Sequence, residues 1–167
     1  MMTDAIRLLL FPALMAFAAS SDLLTMTISN RVSLALVAAF AVVALVSGAS
    51  LPVIGMHAAA GAVVLVAGFT CFSFGWIGGG DAKLAAAIAL WLGFSHLPEF
   101  LVYASLCGGA LTLLTIQFRL LPLPAALRRP WILRLHEKGA GVPYGIALAA
   151  AALLVYPQTG WMSTLAA

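Results

Sequence analysis

Charged residues are scarce in this chain. Only 8% of its 167 residues are Asp, Glu, Lys or Arg, whereas 64% are hydrophobic. Soluble domains carry about 25% charged and about 45–50% apolar residues, and a fold of this size has too large a surface to hide such an excess. The composition therefore argues against a soluble protein and predicts one that is embedded in a lipid bilayer.

Cysteine is nearly absent as well. Cys71 and Cys107 both lie in apolar stretches and form no C-x-x-C pair. A structural zinc site normally needs four ligands, so we interpret both cysteines as small buried side chains and expect no metal site. We also expect no cofactor and no nucleic-acid partner.

Long uncharged runs predict the membrane topology, because a transmembrane helix needs about 20 mostly apolar residues. The longest run, Val32–Gly80, has room for two helices. The six predicted spans lie near Ala5–Ser21, Val32–Ser47, Val53–Phe74, Leu84–Pro98, Phe100–Phe118 and Pro143–Tyr156. The predicted fold class is all-α: one polytopic membrane domain, residues 1–167, with about six transmembrane helices and no separate soluble domain.

The first span has a second possible interpretation. Arg7, the apolar run Leu8–Ala18 and the small residues at Ala18–Ser21 also resemble a cleavable signal peptide. We expect a retained helix, because the rest of the chain is multispanning.

The basic residues predict the orientation. With six spans, seven of the eight basic residues share one side of the membrane: Arg31, Lys83, Arg119, Arg128, Arg129, Arg134 and Lys138. Only Arg7 lies on the other side. Because positive residues in short loops stay in the cytoplasm, we expect the N-terminus outside. Asp22 and Asp81 then both lie at the cytoplasmic face.

Asp22 and Asp81 stand out among the five acidic residues. Asp22 is predicted to close the first helix, and Asp81 to open the fourth, directly after Gly78-Gly79-Gly80. A carboxylate at the edge of the hydrocarbon is costly and suggests a functional site. Each motif alone could be structural, as an interfacial charge or as a turn with a helix cap. Their equal depth on one side favours a functional pair.

Two carboxyl groups that share a water molecule can hydrolyse a peptide bond. Both cannot ionise easily at close range, so one keeps a proton while the other acts as base. The base activates water, and the acid protonates the carbonyl oxygen or the leaving amine. Because such a pair titrates as a unit, the sequence does not assign the base.

The residues around Asp81 are predicted to support the site. Gly78 and Gly80 would adopt backbone dihedrals closed to other residues, Gly80 with a positive φ, or would let a peptide approach closely. Lys83 would stabilise the Asp81 carboxylate or touch substrate; alternatively it reaches to lipid phosphate. Asn30 could hydrogen-bond backbone near the site or cap the second helix, and we expect the cap.

Three segments resemble elements of the prepilin peptidase family. Asp22–Asn30 looks like its first element, Gly78–Leu84 like its G-x-G-D-x-K element, and Val142–Gly145 like its P-[YF]-G element. The G-x-G-D signature is shared more loosely with other membrane aspartic proteases. The resemblance implies that Asp22 and Asp81 are catalytic aspartates. It further implies cleavage of the short basic leader of type IV prepilins or pseudopilins at the cytoplasmic face of the bacterial inner membrane.

Two departures from the family pattern refine this expectation. Ser29 stands where members often have Pro, and the chain has no room for the cytoplasmic domain with C-x-x-C pairs that accompanies N-methylation. It resembles the short peptidases of tight-adherence (Flp) pilus systems, so we expect no methyltransferase activity.

Two non-enzymatic alternatives stay open. The membrane aspartates could belong to a proton-coupled carrier or small channel component, or they could be incidental in a pilus-assembly subunit. Carriers more often place such groups near the bilayer midplane on broken helices, whereas both aspartates are predicted at boundaries. The sequence does not predict the oligomeric state.

Overall fold

The computed structural model describes residues 2–163, and side chains for residues 8–161. The side chains of Asp4 and Arg7, and with them Arg7's part in the predicted orientation, lie outside the described residues. Within the described part the chain is helical and contains no strand. The helices are α1 (Met2–Thr25), α2 (Asn30–Val46), α3 (Leu51–Ser73), α4 (Gly79–Leu120), α5 (Pro130–His136), α6 (Tyr144–Val155) and α7 (Gly160–Ser163).

Helix α4 is too long to be a single membrane span. Its 42 residues would extend about 63 Å at 1.5 Å per residue, about twice the hydrocarbon thickness of roughly 30 Å. Gly93 interrupts it with φ 66° and ψ 178°, a conformation that glycine adopts at little cost. The break was predicted near Pro98, but Pro98 lies inside the helix and the kink is at Gly93.

The apolar helices bear out the predicted fold class. Three helices are long and apolar enough to cross a membrane, with windows at Leu8–Thr25, Leu51–Ser73 and Gly79–Leu120, and Asn30–Val46 and Tyr144–Gln158 are shorter apolar segments. With α4 divided at its kink, these give six apolar segments close to the six predicted spans. The prediction of an all-α polytopic membrane protein is confirmed.

Helix α4 lies at the centre of the bundle, against α2, α3 and α6, and its first half is the more buried. Helix α1 packs on α6 and α2. The core is aromatic: the Phe11 ring centroid lies 4.4 Å from that of Tyr156 and 5.0 Å from that of Trp91. Large apolar side chains cover the outside, as expected of a surface that faces lipid. Both cysteines are free and only partly buried, so the prediction that they are buried side chains is wrong.

The kink in α4 is held by side chains from distant segments. The carbonyls of Leu90 and Trp91 precede it, and a helix break interrupts hydrogen bonding at such positions. The His57 ring donates from Nδ1 to the Leu90 carbonyl at 2.9 Å, and the Trp161 indole donates to the Trp91 carbonyl at 2.8 Å. His57 therefore has a structural partner at the end of α3 remote from Asp81.

The loop between α4 and α6 is fixed by arginines. Arg119 donates from Nε to the Leu135 carbonyl at 2.8 Å and from Nη2 to the Gly141 carbonyl at 2.7 Å. Arg134, on α5, donates to the Leu24 carbonyl at 3.3 Å. The loop is thereby held against the end of α1 that carries Asp22.

Candidate active site

Asp22 lies in the last turn of α1. It was predicted to close this helix, but three more helical residues follow, up to Thr25. Its side chain is only 4% exposed, and its Oδ2 accepts a hydrogen bond of 2.7 Å from the backbone N–H of Gly145. Gly145 is the second residue of α6, where backbone amides lack a partner within the helix and the helix dipole favours negative charge. The amide end of α6 therefore holds one oxygen of Asp22.

Asp81 lies in the first turn of α4, as predicted. Gly78 is the N-cap residue of this helix, and the partly buried Asp81 carboxylate folds back onto the Gly78 backbone. A Cβ added to Gly78 would lie 2.7 Å from Asp81 Oδ2, too close for any side chain. An acidic residue at the third helical position commonly reaches back to the N-cap in this way. The absence of a side chain at Gly78 thus creates the space that the carboxylate occupies.

The two carboxylates meet at one end of the bundle. Asp22 comes from the C-terminal end of α1 and Asp81 from the N-terminal end of α4, and Ile28 packs against the glycines beside both, Gly145 and Gly80. Their negative charges are close enough to repel each other. Two acidic groups held together in this way are the arrangement that acid–base chemistry on a shared water molecule requires. The structure therefore brings together the two aspartates that the sequence analysis selected.

Ile28 packs between the segments that carry the aspartates. A Cβ added to Gly80 would lie 3.2 Å from Ile28 Cβ and 3.4 Å from its carbonyl oxygen, and one added to Gly145 would lie 2.8 Å from Ile28 Cδ1. A positive φ, one of the two alternatives for Gly80, is wrong, since the positive φ values among the described glycines are at Gly48, Gly75 and Gly93. Gly80 is required instead by the close approach of the loop between α1 and α2. Sequence reasoning missed Ile28, because one isoleucine among many apolar residues has no distinguishing pattern.

Lys83 contacts a neighbour other than the predicted one. Its Nζ donates to Asn30 Oδ1 at 2.9 Å, and within residues 8–161 no ion pair joins it to Asp81. Ser29 is the N-cap residue of α2, with its hydroxyl accepting from the Arg31 amide at 3.3 Å, so the prediction that Asn30 caps this helix is wrong. Lys83 and Asn30 instead link the first turns of α4 and α2 beside the aspartates.

Tyr144 fixes the start of α6 to the second half of α4. Its hydroxyl lies 2.9 Å from Thr112 Oγ1, and its ring covers Gly108, where an added Cβ would come within 2.9 Å of Cε1. Gly109, the next residue, has open space around it. Because Tyr144 immediately precedes Gly145, this contact positions the amide that binds Asp22. The P-Y-G sequence at a helix start was the available signal for this part of the site.

No group of three or more His, Cys, Asp or Glu side chains that could hold a metal ion occurs among the described residues. His57 and His96 line a separate cavity of about 330 Å³ near the α4 kink. The polar groups that the structure places around the aspartates are backbone amides of Gly78 and Gly145 and the nearby Lys83 side chain.

Comparison with protein-family models identified a match. A model of the type IV leader peptidase family matches residues 9–113, more than half of the chain. The matched region contains both aspartates, Gly78, Gly80 and Lys83, while Gly145 lies beyond it. No curated protein and no solved structure matches the chain.

Proposed function

The chain belongs to the type IV leader peptidase family, and from this premise we propose that it is an aspartic endopeptidase whose catalytic residues are Asp22 and Asp81. The family and the apolar helices together make it a membrane-embedded peptidase. The observation that carries the proposal is that Asp22 and Asp81 come from different helices to one end of the bundle, where Ile28 packs against both Gly80 and Gly145, the glycines beside the two carboxylates.

The proposed reaction uses the aspartates as a coupled pair. One carboxylate removes a proton from a water molecule lying between them, and the water oxygen attacks the scissile carbonyl carbon. The other carboxyl group protonates the carbonyl oxygen. The proton that the base took from water then goes to the leaving amine as the C–N bond breaks, and the former carbonyl oxygen returns its proton, so that the pair again holds one proton. The Gly145 amide fixes Oδ2 of Asp22, which leaves Oδ1 to hold the water. No metal ion or methyl donor enters this scheme.

The proposed substrate is a type IV prepilin or pseudopilin with a short basic leader, of the tight-adherence (Flp) kind. Cleavage would occur at the cytoplasmic face of the bacterial inner membrane, with the N-terminus of the enzyme outside. The basic loop between α4 and α6 supports this orientation, because Arg134 contacts the end of α1 that carries Asp22 and positive loops stay in the cytoplasm.

Conservative substitution of each aspartate tests the proposal. Asp22→Asn and Asp81→Asn should each abolish processing of a co-expressed prepilin while the amount of enzyme in the membrane stays unchanged. Glu137→Gln is the matched control, since Glu137 is an exposed acid in the loop between α4 and α6. Wild-type cleavage should continue with a metal chelator present and no methyl donor.

The cleavage assay, together with a measurement of proton conduction, separates the alternatives. Normal cleavage by either asparagine variant would refute the catalytic pair. A wild-type protein that leaves prepilin intact but conducts protons in liposomes would instead be a carrier, and one that does neither would be an assembly subunit.

A further inference from the structure

Two exposed aromatic side chains lie in the turn between α3 and α4. Phe74 is 66% exposed and Trp76 is 73% exposed. Their ring centroids are 5.2 Å apart, and the ring planes are inclined by 26°. We call the segment Phe74-Gly75-Trp76 the aromatic turn. It directly follows α3, and the catalytic scheme above gives it no part.

Backbone hydrogen bonds hold the aromatic turn in one conformation. Gly75 has a φ of 74°, in the left-handed region that favours glycine. Its N–H donates to the Phe72 carbonyl at 2.9 Å, and the Trp76 N–H donates to the Cys71 carbonyl at 3.0 Å. This is the Schellman pattern, in which a glycine just beyond a helix lets the chain satisfy the last carbonyls. The two rings therefore project from a fixed backbone.

Phe72 connects the aromatic turn to the aspartate site. This residue lies in the last turn of α3, and a Cβ added to Gly79 would lie 3.3 Å from its Cε2. The Phe72 ring thus packs on the first residue of α4, and Asp81 lies in the same first turn of α4. The depth of the aromatic turn in the membrane therefore determines the depth of Asp81.

The lipid-facing surface of α3 continues into the aromatic turn. Val66 is 68% exposed and Phe69 is 64% exposed on this membrane-length helix. The hydroxyls of Thr70 and Ser73 donate to the carbonyls of those two residues, each at 2.9 Å, so neither hydroxyl needs water. The aromatic turn extends this surface at the end of the span, which is the level at which Trp and Tyr are enriched in membrane proteins.

The size and chemistry of the two rings fit lipid better than a protein partner. Aromatic side chains bury about 150–250 Å² each, so the exposed parts of Phe74 and Trp76 offer roughly 300 Å², whereas a stable protein interface buries roughly 800 Å² per partner. No described residue accepts a hydrogen bond from the Trp76 indole N–H, unlike those of Trp91 and Trp161. An apolar ring with one free N–H suits the boundary where hydrocarbon meets polar headgroups.

We propose that the aromatic turn inserts Phe74 and Trp76 into the lipid interface and thereby keeps Asp81 at the membrane boundary. The catalytic consequence rests on the proposed peptidase function. Hydrolysis consumes a water molecule, and the hydrocarbon core contains no water, so the carboxylate must stay at the boundary. Phe74 and Trp76 are therefore positioning residues for Asp81, and lipid is their partner.

Fluorescence quenching tests where Trp76 lies. Its emission is the difference between wild type and Trp76→Phe in vesicles of lipid brominated either beside the headgroup or near the end of the acyl chain. Phe17→Trp is the matched depth control, because Phe17 is 61% exposed in the middle of the apolar window of α1. Bromine beside the headgroup should quench Trp76 more strongly than bromine near the chain end, and the order should be reversed for position 17.

Three results of this measurement would overturn the proposal. Quenching of Trp76 by aqueous iodide but by neither lipid would place the aromatic turn in water. Quenching by neither iodide nor lipid would show that a protein partner or a second copy covers the rings. Stronger quenching from the chain end would place the turn too deep to hold Asp81 at the boundary.

Cleavage in two environments tests whether the anchor positions the site. A displacement of a reacting group by about 1 Å can cost on the order of 100-fold in rate, so kcat/KM of Trp76→Ala should fall on the order of tenfold or more in liposomes. In detergent micelles, which adapt to the protein, Trp76→Ala should cleave at the wild-type rate. Trp76→Tyr should retain activity in both, since Tyr also favours the interface, and Phe17→Ala should match wild type in both.

The pattern of activities distinguishes the possible failures. Equal losses by Trp76→Ala in liposomes and micelles would show local damage to the site, and no loss in liposomes would show that the anchor does not position Asp81. Either result would refute the proposal and leave the catalytic pair intact. Wild-type enzyme that cleaves prepilin in neither environment would refute the proposed function, whereas the quenching measurement would still report the membrane position of the aromatic turn.

Discussion

Replacing Gly145 by alanine tests whether the amide at the start of α6 positions Asp22. The Gly145 N–H donates to Asp22 Oδ2 at 2.7 Å, and the residue is buried. An added Cβ would lie 2.8 Å from that same oxygen, 2.8 Å from Ile28 Cδ1 and 3.1 Å from Asp22 Cβ. The substitution keeps the amide but forces the aspartate or its neighbours to move.

The size of the effect follows from these distances. Non-bonded carbon atoms have their optimum at about 3.5–4.0 Å, so contact with Ile28 requires a shift of about 0.7 Å or more. A displacement of about 1 Å in a reacting group can cost on the order of 100-fold in rate. We therefore expect kcat/KM for prepilin cleavage to fall about 10- to 100-fold. Stability should change less, because alanine is about 1 kcal/mol better than glycine in a helix and offsets part of the steric cost.

The assay compares purified Gly145→Ala with wild type in liposomes, measuring prepilin cleavage and thermal unfolding in parallel. Gly141→Ala is the matched control, since a Cβ at Gly141 meets nothing within 4 Å. Cleavage by Gly145→Ala within about twofold of wild type would show that the carboxylate has room to adjust, and that the amide of α6 does not set the geometry on which the rate estimate depends.

Three further predictions concern the surroundings of the site and the topology. Gly80→Val should reduce cleavage more than it reduces folded protein, because the new side chain collides with Ile28, whose Cβ lies 3.2 Å from the Cβ position; near-normal turnover would show that this contact is dispensable. Gly108→Ala should lower activity and Gly109→Ala should not, since only the first displaces Tyr144 at the start of α6. Equal activities would show that the contact between Tyr144 and Gly108 does not position the site. A reporter fused after Arg129 should be cytoplasmic, and an external location would overturn the proposed orientation.

The fold class followed from the sequence because lipid imposes a simple rule. In a bilayer, backbone groups must be satisfied within the segment, so a long apolar run is a helix. Exact helix ends depend on local contacts instead. The predicted break near Pro98 overlooked Gly93, whose kink is held by His57 and Trp161 from segments far away in the chain. Proline marks a possible break in sequence, but the tertiary contacts decide where the helix bends.

The aspartates could be selected from sequence because charge in an apolar chain is rare and its position is informative. Their partners could not. Gly145 is separated from Asp22 by 123 positions, and nothing in its neighbourhood specifies which carboxylate it meets. Ile28 is likewise an ordinary residue in sequence. Tyr144 belongs to the P-Y-G element, but its contact with Gly108 appears only when α6 packs against α4.

The glycines explain why only part of the site could be predicted from the sequence. At Gly78 and Gly145 an added Cβ would come within 2.8 Å of an aspartate oxygen, and at Gly80 within 3.2 Å of Ile28. The geometry of the carboxylates is therefore set largely by backbone that approaches side chains directly, and only glycine allows this approach. The run of glycines beside Asp81 indicated from sequence that backbone approaches this carboxylate closely. The single glycine at the start of α6 did not indicate a close approach to Asp22. The position of Asp22 consequently depends on how α6 packs against α1. A change that tilts α6 should therefore lower the cleavage rate at a smaller displacement than it needs to lower the stability of the fold.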